Sequence, residues 1–248
     1  MKRRLITLAT VFGLAVAVAG AETPAEDGKI RVLLTIGGHD FEAAPFYAVF
    51  DAMDDVEYTL ARLPDEADLL VPALQERFDV IVMYDMVREI NPPQQEAFAA
   101  LLEQGIGVVS LHHNLGAHRQ WDEYPRIIGG RYVFAAGEID GTPVRPSSYA
   151  HDQPMRIHIA DADHAITRGM EDFSIVDECY LDYYRAPGVR LLLTTNHPQN
   201  DEGIGWVHRY GNSPVFFLQL GHDRQAYEHP AFRELVHRGI RWAAGRLD

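Results

Sequence analysis

Four short apolar runs alternate with helix-like segments in the first half of the sequence. The runs cover residues 31–36, 56–61, 78–84 and 106–111, and the helix-like stretches cover about 42–53 and 92–104. Near-continuous apolar runs predict strands that are buried on both faces, and the intervening helices supply the crossovers that parallel strands need. The sequence therefore predicts an α/β fold in which a parallel sheet lies between layers of helices.

The second half of the sequence has a different pattern. Short runs rich in Gly, Pro and Asp occupy residues 129–188, and we interpret them as an elaboration on the sheet. Gly211 and Asn212 predict a hairpin turn between two later strands. The further predicted elements are strands at 190–195, 205–210 and 214–220 and a closing helix at about 230–244. We expect a single domain over residues 30–248 with a β-rich elaboration in its second half.

The N-terminus has the layout of an export signal. Basic residues at 2–4 precede an apolar run over 5–19, and small residues follow at 19–21. This run is shorter than the roughly 20 apolar residues that span a bilayer. We therefore expect a signal peptide at 1–21, a polar leader at 22–29, and a periplasmic or secreted protein with no membrane attachment after cleavage.

The charge balance narrows the class of ligand. The chain carries 36 acidic against 22 basic residues, a formal charge of −14, which repels phosphate backbones and anionic lipid. We therefore expect a small-molecule partner, with neither nucleic acid nor a nucleotide cofactor, and a homo-oligomer is compatible with this expectation. The single cysteine, Cys179, cannot form an intramolecular disulfide.

Histidines follow three of the predicted strands. His39 comes after the first strand, His112 and His113 end the fourth, and His222 follows a late strand. In open α/β sheets, ligands bind in the crevice outside the carboxyl ends of the strands. The sequence therefore predicts that these four imidazoles surround one crevice.

Two of these histidines lie in the same Gly-His-Asp pattern. Glycine permits a turn, the histidine can project into the site, and Asp40 or Asp223 could fix the tautomer of the preceding ring. A single such motif is more often a helix cap or a surface turn. The convergence of three strand-end positions favours a functional site.

An acidic and aromatic cluster follows at residues 177–184. Strand-like alternation would place Glu178, Tyr180 and Asp182 on one face and Asp177 on the other. A carboxylate beside imidazoles could complete a divalent metal site or act as a general base, and Tyr180 could donate to a substrate oxygen. The alternative is a solvated acidic loop.

Aromatic residues near His118 provide a second candidate for ligand contact. Trp121 and Tyr124 flank Asp122, and aromatics beside polar groups often stack on sugar rings. They are more often simple core residues. The remaining histidines, His151 among them, have no spacing that assigns them to a ligand set.

Several motifs together resemble the trehalose-utilisation family typified by ThuA. They are IGGHDF at 36–41, GVVSLHHN at 107–114, WDEYPRIIGGRY at 121–132, DECY at 177–180, PVFFLQLGHD at 214–223 and RGIRWAAG at 238–245. The resemblance covers almost the whole chain after the leader. It implies a Rossmann-like three-layer sandwich with a mainly parallel sheet, similar to class I glutamine amidotransferases. The turn where that fold carries its nucleophilic cysteine holds His112-His113 here, which argues against amide transfer.

The resemblance also implies a function. The family is associated with catabolism of disaccharides, including trehalose, sucrose and their 3-keto derivatives, and the matching motifs carry over His39, His112 or His113, Glu178 and His222 as site residues. One departure is that Phe134 and its neighbours stand where the family often has a histidine.

Two classes of function follow from these assignments. The first is an exported enzyme that uses a divalent ion, zinc or manganese, and cleaves, eliminates or isomerises a disaccharide or keto-glycoside. The second is a non-catalytic, exported carbohydrate-binding protein. The predicted roles are metal ligation by His39, His112 and His222, catalysis by His113, Glu178, Tyr180 and Asp223, and substrate contact by Asp40, Phe41, Asn114, Trp121 and Asp177.

Overall fold

A computed structural model describes residues 28–248 of the chain. The predicted signal peptide and nearly all of the predicted leader lie outside the described residues. Within residues 28–248, no helix combines the length and the apolar character needed to cross a membrane.

Thirteen strands and five α-helices follow one another along residues 28–248. The strands are β1 (Ile30–Ile36), β2 (Val56–Arg62), β3 (Val80–Met83), β4 (Gly107–Leu111), β5 (Gly130–Arg131), β6 (Gly137–Ile139), β7 (Thr142–Val144), β8 (Ser148–Ile159), β9 (Phe173–Leu181), β10 (Tyr184–Arg185), β11 (Arg190–Thr195), β12 (Gly203–Tyr210) and β13 (Ser213–Leu218). The helices are α1 (Ala43–Asp51), α2 (Pro92–Leu102), α3 (Tyr124–Ile128), α4 (Arg224–Tyr227) and α5 (Pro230–Ala243).

Nine of the strands form one mixed sheet in the order β2-β1-β3-β4-β13-β12-β11-β8-β9. The first five in this order run parallel, and the last four continue the sheet with antiparallel neighbours. The hairpin predicted around Gly211 joins β12 to β13. The α/β fold and its β-rich elaboration in the second half are therefore confirmed.

Helices cover both faces of this sheet and create two separate cores. In β1, Val32 and Leu34 pack on the side of α1 and α5, whereas Leu33 packs on the side of α2 and α3. Phe216 and Phe217 of β13 divide between the two cores in the same way. Because each strand supplies apolar side chains to both cores, its sequence is almost continuously apolar. This arrangement is the predicted three-layer sandwich.

Strands β8 and β9 extend well beyond the rest of the sheet. Only residues 157–159 of β8 pair with β11, whereas residues 148–157 pair with β9. The outer part is therefore a two-stranded arm, which we call the β8–β9 arm. Its buried and exposed side chains follow no regular alternation and include many polar residues, so the sequence pattern of 129–188 indicated only short runs.

Candidate functional site

Three loops that follow strands of the parallel half carry the histidines predicted to share a crevice. His39 follows β1, His112 and His113 follow β4, and His222 follows β13, so all four lie at the carboxyl edge of the sheet. The ring centroids of His39 and His113 are 4.6 Å apart, and those of His112 and His222 are 5.3 Å apart. The four imidazoles are therefore gathered at one place.

His112 occupies a strained turn between β4 and a short 3₁₀ segment. Its φ is +49°, in the left-handed region that side chains other than glycine rarely adopt, and this strand-to-helix turn resembles a nucleophile elbow. Its Nδ1 lies 2.6 Å from the carbonyl oxygen of Gln219, to which Nδ1–H donates. That hydrogen bond fixes the tautomer and directs the Nε2 lone pair toward His222, Glu178 and Tyr180.

His222 is held in place by a buried carboxylate. Asp177 accepts the backbone N–H groups of Gly221 at 2.7 Å and of His222 at 3.0 Å. Gly221 has a φ of +119°, and a Cβ at this position would lie 2.9 Å from the ring of Phe232. The positive φ and the lack of space for a Cβ explain why glycine precedes His222 in the turn after β13. Asp177, predicted to contact substrate, is buried and acts here as a positioning residue for the turn.

Glu178 comes from the opposite edge of the sheet. Strand β9 lies five positions from β4 in the sheet order, a separation of about 24 Å in a flat sheet. Nevertheless, its Oε2 lies 3.1 Å from His112 Nε2 and 3.4 Å from His222 Nδ1. The β8–β9 arm therefore curls over the carboxyl ends of the parallel strands and closes the site.

One atom from each of His112, Glu178 and His222 forms a compact triangle. His112 Nε2 and His222 Nδ1 are 3.2 Å apart, which completes a set of three nearly equal sides with Glu178 Oε2. Atoms bound to one tetrahedral zinc ion at 2.0–2.1 Å are about 3.3 Å from each other. The Nε2 lone pair of His112 and the Glu178 carboxylate are both electron-rich, so a cation between them satisfies both. These residues therefore fit a divalent metal ion.

Contacts within this triangle shift the pKa values of Glu178 and His222. Burial alone would raise the pKa of Glu178, but its contacts with the His112 and His222 imidazoles hold that pKa well below its ordinary value. The hydrogen bond to Glu178 raises the pKa of His222, against the effect of burial. The carboxylate is thus ionised and available as a ligand.

His113 and His39 form a second pair of imidazoles beside the triangle. His113 Nε2 lies 2.9 Å from the carbonyl oxygen of Tyr84, so Nε2–H donates and Nδ1 keeps its lone pair. Burial, together with the neighbouring imidazoles, lowers the pKa of His113 well below its usual range, and the ring is neutral. His39 stacks on this ring and contacts the Asp40 carbonyl oxygen. His39, predicted as a metal ligand, is not among the three atoms of the triangle.

His151 belongs to the site, although the sequence pattern did not assign it. Its Nδ1 lies 3.2 Å from Glu178 Oε1, the carboxylate oxygen that does not face His112. The register of β8 against β9 shifts between Ala150 and Gln153, and Asp152 has a φ of +56°. This bulge turns His151 toward the site. The sequence could not assign His151 to the site, because the bulge that lies opposite Glu178 is defined only by the pairing of β8 with β9.

A cavity of about 200 Å³ opens beside the triangle. Its lining combines the imidazoles with aromatic rings: His39, His113, His151, Glu178, Tyr132, Phe134, Tyr149, Tyr180, Met86 and Gly116. The Tyr180 hydroxyl lies 3.1 Å from His112 Nε2, so Tyr180 joins the cavity to the triangle. The cavity can therefore present a ligand oxygen to acid, base and cation-binding groups at once.

Five predicted site residues have other contacts. Asn114 accepts from Ser110 and Tyr124 in the interior, and Trp121 packs in the core near α2. Neither these two side chains nor those of Asp40, Phe41 and Asp223 line the cavity. Asp40 is exposed, Phe41 packs against Phe46 and Tyr84, and Asp223 caps α4 by accepting from Gln225 N–H. For Asn114, Trp121, Phe41 and Asp223, these contacts favour structural roles.

The fold and the site together define the class of protein. A mixed sheet with helices on both faces and functional groups at the strand ends matches an amidotransferase-like α/β fold. The elbow after β4 holds His112, whereas Cys179 is buried, with a thiol pKa that burial raises to about 12. The family model for ThuA, described as trehalose utilisation, matches residues 31–243. The chain belongs to this family.

Solved structures show the same fold at low sequence identity. A ThuA-like protein from Parabacteroides merdae has a TM-score of 0.73 and 21% identity, over 88% of this chain and 91% of that one. A second, from Bacteroides uniformis, has a TM-score of 0.64 and 16% identity, over 90% and 95% of the two chains. A β-galactosidase from Bacillus circulans is similar over 88% of this chain and 31% of its own, with a TM-score of 0.56 and 10% identity.

Proposed function

We propose that this chain is an exported, periplasmic or secreted enzyme that processes a disaccharide or its 3-keto derivative with the help of a bound zinc or manganese ion. The observation that carries the proposal is the triangle of His112, Glu178 and His222 beside a cavity lined by aromatic rings. Sugar-binding sites need aromatic surface and hydrogen-bonding groups. Clustered imidazoles around a carboxylate are needed for proton transfer or metal binding rather than for sugar affinity.

The two oxygens of Glu178 have different tasks. Oε2 faces His112 and His222 and, with them, would hold the metal ion. Oε1 lies 3.2 Å from His151 Nδ1. With the proton on Nδ1, Nε2 of that ring carries a free lone pair. When bound, the ion polarises a sugar carbonyl or hydroxyl oxygen as a Lewis acid. Glu178 thereby links the cation-binding group to a candidate base.

A 3-keto sugar suits this arrangement because its ketone acidifies the adjacent C2–H. His151 takes that proton, and the C1–O bond then breaks with its electron pair leaving on the oxygen of the second sugar. The protonated His151 gives its proton to that oxygen and returns to its neutral form. Addition of water to the resulting double bond completes a net hydrolysis. The Tyr180 hydroxyl, which lies beside His112, would donate a hydrogen bond to a sugar oxygen, and neutral His113 would accept one from a sugar hydroxyl through its free Nδ1.

The experiment is an assay of the mature protein with 3-keto-trehalose, with glucose release followed by mass spectrometry. We expect turnover by the wild type and a loss of at least about a hundredfold in Glu178→Gln and His151→Gln. Glu57→Gln, on the exposed face of β2, is the matched control and should retain full activity. Metal content is measured on the same samples, and it should fall in Glu178→Gln but persist in His151→Gln.

A non-catalytic carbohydrate-binding protein is the second candidate, favoured by the exposed aromatic rings at the cavity. It requires sugar binding without any conversion of keto-glycosides. Wild-type protein that binds trehalose and releases no product from 3-keto-trehalose, even with excess zinc or manganese, would support this candidate and overturn the enzyme.

A further inference from the structure

Exposed aromatic side chains are concentrated at the cavity. Among residues 28–248, the large hydrophobic side chains with high exposure are Leu60 at 39%, Phe134 at 42% and Tyr149 at 60%. Leu60 lies on the distant edge strand β2, whereas Phe134 and Tyr149 both line the cavity. Exposed apolar surface that collects at a cavity mouth indicates contact with a ligand.

The Phe134 ring has fixed neighbours. The guanidinium carbon of Arg119 lies 3.5 Å from the centroid of the Phe134 ring. The ring centroids of Tyr132 and Phe134 are 5.1 Å apart. Tyr132 in turn meets Tyr180 edge-on at 5.4 Å. Aromatic surface therefore runs without a break from the metal-binding triangle, where Tyr180 contacts His112, to the mouth of the cavity.

Tyr149 reaches the cavity from a separate segment, the β8–β9 arm. It is paired in register with Tyr180, and its ring lies 5.1 Å from that of His151. The mouth is thus bordered by one ring from the segment after β5 and another from the arm. Phe134 is 42% and Tyr149 60% exposed, so each ring keeps solvent-accessible surface that a ligand can contact.

The size of the cavity limits what it can enclose. Pockets for drug-sized ligands are usually about 300–1,000 Å³, whereas this cavity is about 200 Å³. A disaccharide has two rings, and the cavity has room for one. The other ring has to lie at the mouth, where Phe134 and Tyr149 are exposed.

We propose that Phe134 and Tyr149 form a second sugar subsite, which holds the leaving-group ring of a disaccharide by stacking while the first ring lies beside Glu178. This inference rests on the proposed function, because it assumes a sugar ligand. A pyranose ring presents flat patches of C–H groups to an aromatic face and hydroxyl groups at its edge. The Tyr149 hydroxyl and His151 offer hydrogen-bonding partners for those hydroxyls.

Calorimetry with two unreactive probes tests the subsite. Trehalose contains both rings, and methyl α-D-glucoside contains only the first. We expect the wild type to bind trehalose more tightly than the methyl glucoside. Phe134→Ala and Tyr149→Ala should each weaken trehalose binding by about tenfold and change methyl glucoside binding by less than about twofold. Phe134→Tyr should retain the preference, and Leu60→Ala, a matched exposed side chain, should change neither affinity.

Two results would overturn the subsite: equal losses for the two probes in the alanine variants, or a wild type that does not prefer trehalose. Melting temperatures of the variants confirm that each remains folded. Failure of the proposed enzyme function has a different signature. Turnover of 3-keto-trehalose would be absent, while the preference for trehalose and its loss in Phe134→Ala would persist.

Discussion

Asp177 and His222 are joined by a hydrogen bond of 3.0 Å from the backbone N–H of His222 to the Asp177 carboxylate. The same carboxylate accepts from Gly221 N–H, so one buried acid holds the whole turn that presents His222. The position of this imidazole therefore depends on a residue of β9 that does not line the cavity.

We expect Asp177→Asn to weaken metal binding by about 10- to 100-fold, because an amide cannot accept both N–H groups through two oxygens. One buried N–H group left without an acceptor also costs about 1–3 kcal/mol of unfolding free energy. Metal titration and urea unfolding measure the two effects. Glu171→Gln, at an exposed acid shortly before β9, is the control. Unchanged metal affinity in Asp177→Asn would show that the turn holds its shape without the carboxylate.

Replacement of His222 and replacement of His39 should affect the metal content of the protein differently. The triangle includes His222 but not His39, whose ring stacks on His113 instead. We expect His222→Ala to lose its zinc or manganese and His39→Ala to keep it, as measured by mass spectrometry on protein purified without a tag. Loss of metal in both variants would place His39 among the ligands and would require the loop after β1 to move.

Asp85 should make the stability of the protein fall as pH rises. It is fully buried and accepts from the Thr35 hydroxyl at 2.6 Å, and burial raises its pKa from 3.8 to about 6. Nearby His118 is no cationic partner, because burial lowers its pKa to about 3. An acid with a raised pKa in the folded state stabilises that state fully below its unfolded pKa and loses this contribution as pH rises through the folded value.

Asp85→Asn removes this titration and can still accept from Thr35. The unfolding free energy of the variant, relative to that of the wild type, should therefore increase by about 2 kcal/mol between pH 4.5 and pH 7.5. Urea unfolding at the two pH values measures this difference. A constant difference would mean that Asp85 is ionised in the folded protein and pairs with His118, whose Nε2 lies 3.9 Å from it.

Trp121 should matter for stability and not for sugar binding. Its ring is 8% exposed and packs against Phe98 and Tyr124. We expect Trp121→Ala to lower the unfolding free energy by about 3–5 kcal/mol. The milder Trp121→Phe keeps the core filled and should bind trehalose as the wild type does in calorimetry. A specific loss of trehalose affinity in Trp121→Phe would restore this residue to the ligand site.

The fold was predictable because its central strands carry a local signal. Strands such as β1 and β4 are buried on both faces, so their apolar runs are visible without knowledge of their neighbours. Their order along the chain then places His112 and His222 at the same sheet edge. The gathering of these histidines could therefore be predicted from strand ends alone.

The rest of the site depends on contacts that no local pattern encodes. The direction of His151 is set by a bulge against β9, and the curl of the β8–β9 arm determines that Glu178 reaches His112. Asn114 follows the His112-His113 pair in sequence, yet its side chain turns inward to Ser110 and Tyr124. Side chains that are adjacent in sequence thus divide between cavity and core according to tertiary packing.

The curl of the β8–β9 arm also affects how the protein resists unfolding. Along most of their length, β8 and β9 pair only with each other, so the arm is attached to the rest of the sheet through residues 157–159 of β8. An ion or substrate that bridges Glu178 and His112 connects β9, the last strand of the sheet, to the turn after the central strand β4. Its binding free energy adds to the stability of the closed arm. Ligand occupancy should therefore protect the backbone amides of β8 and β9 from hydrogen exchange more than those of β1 and β3.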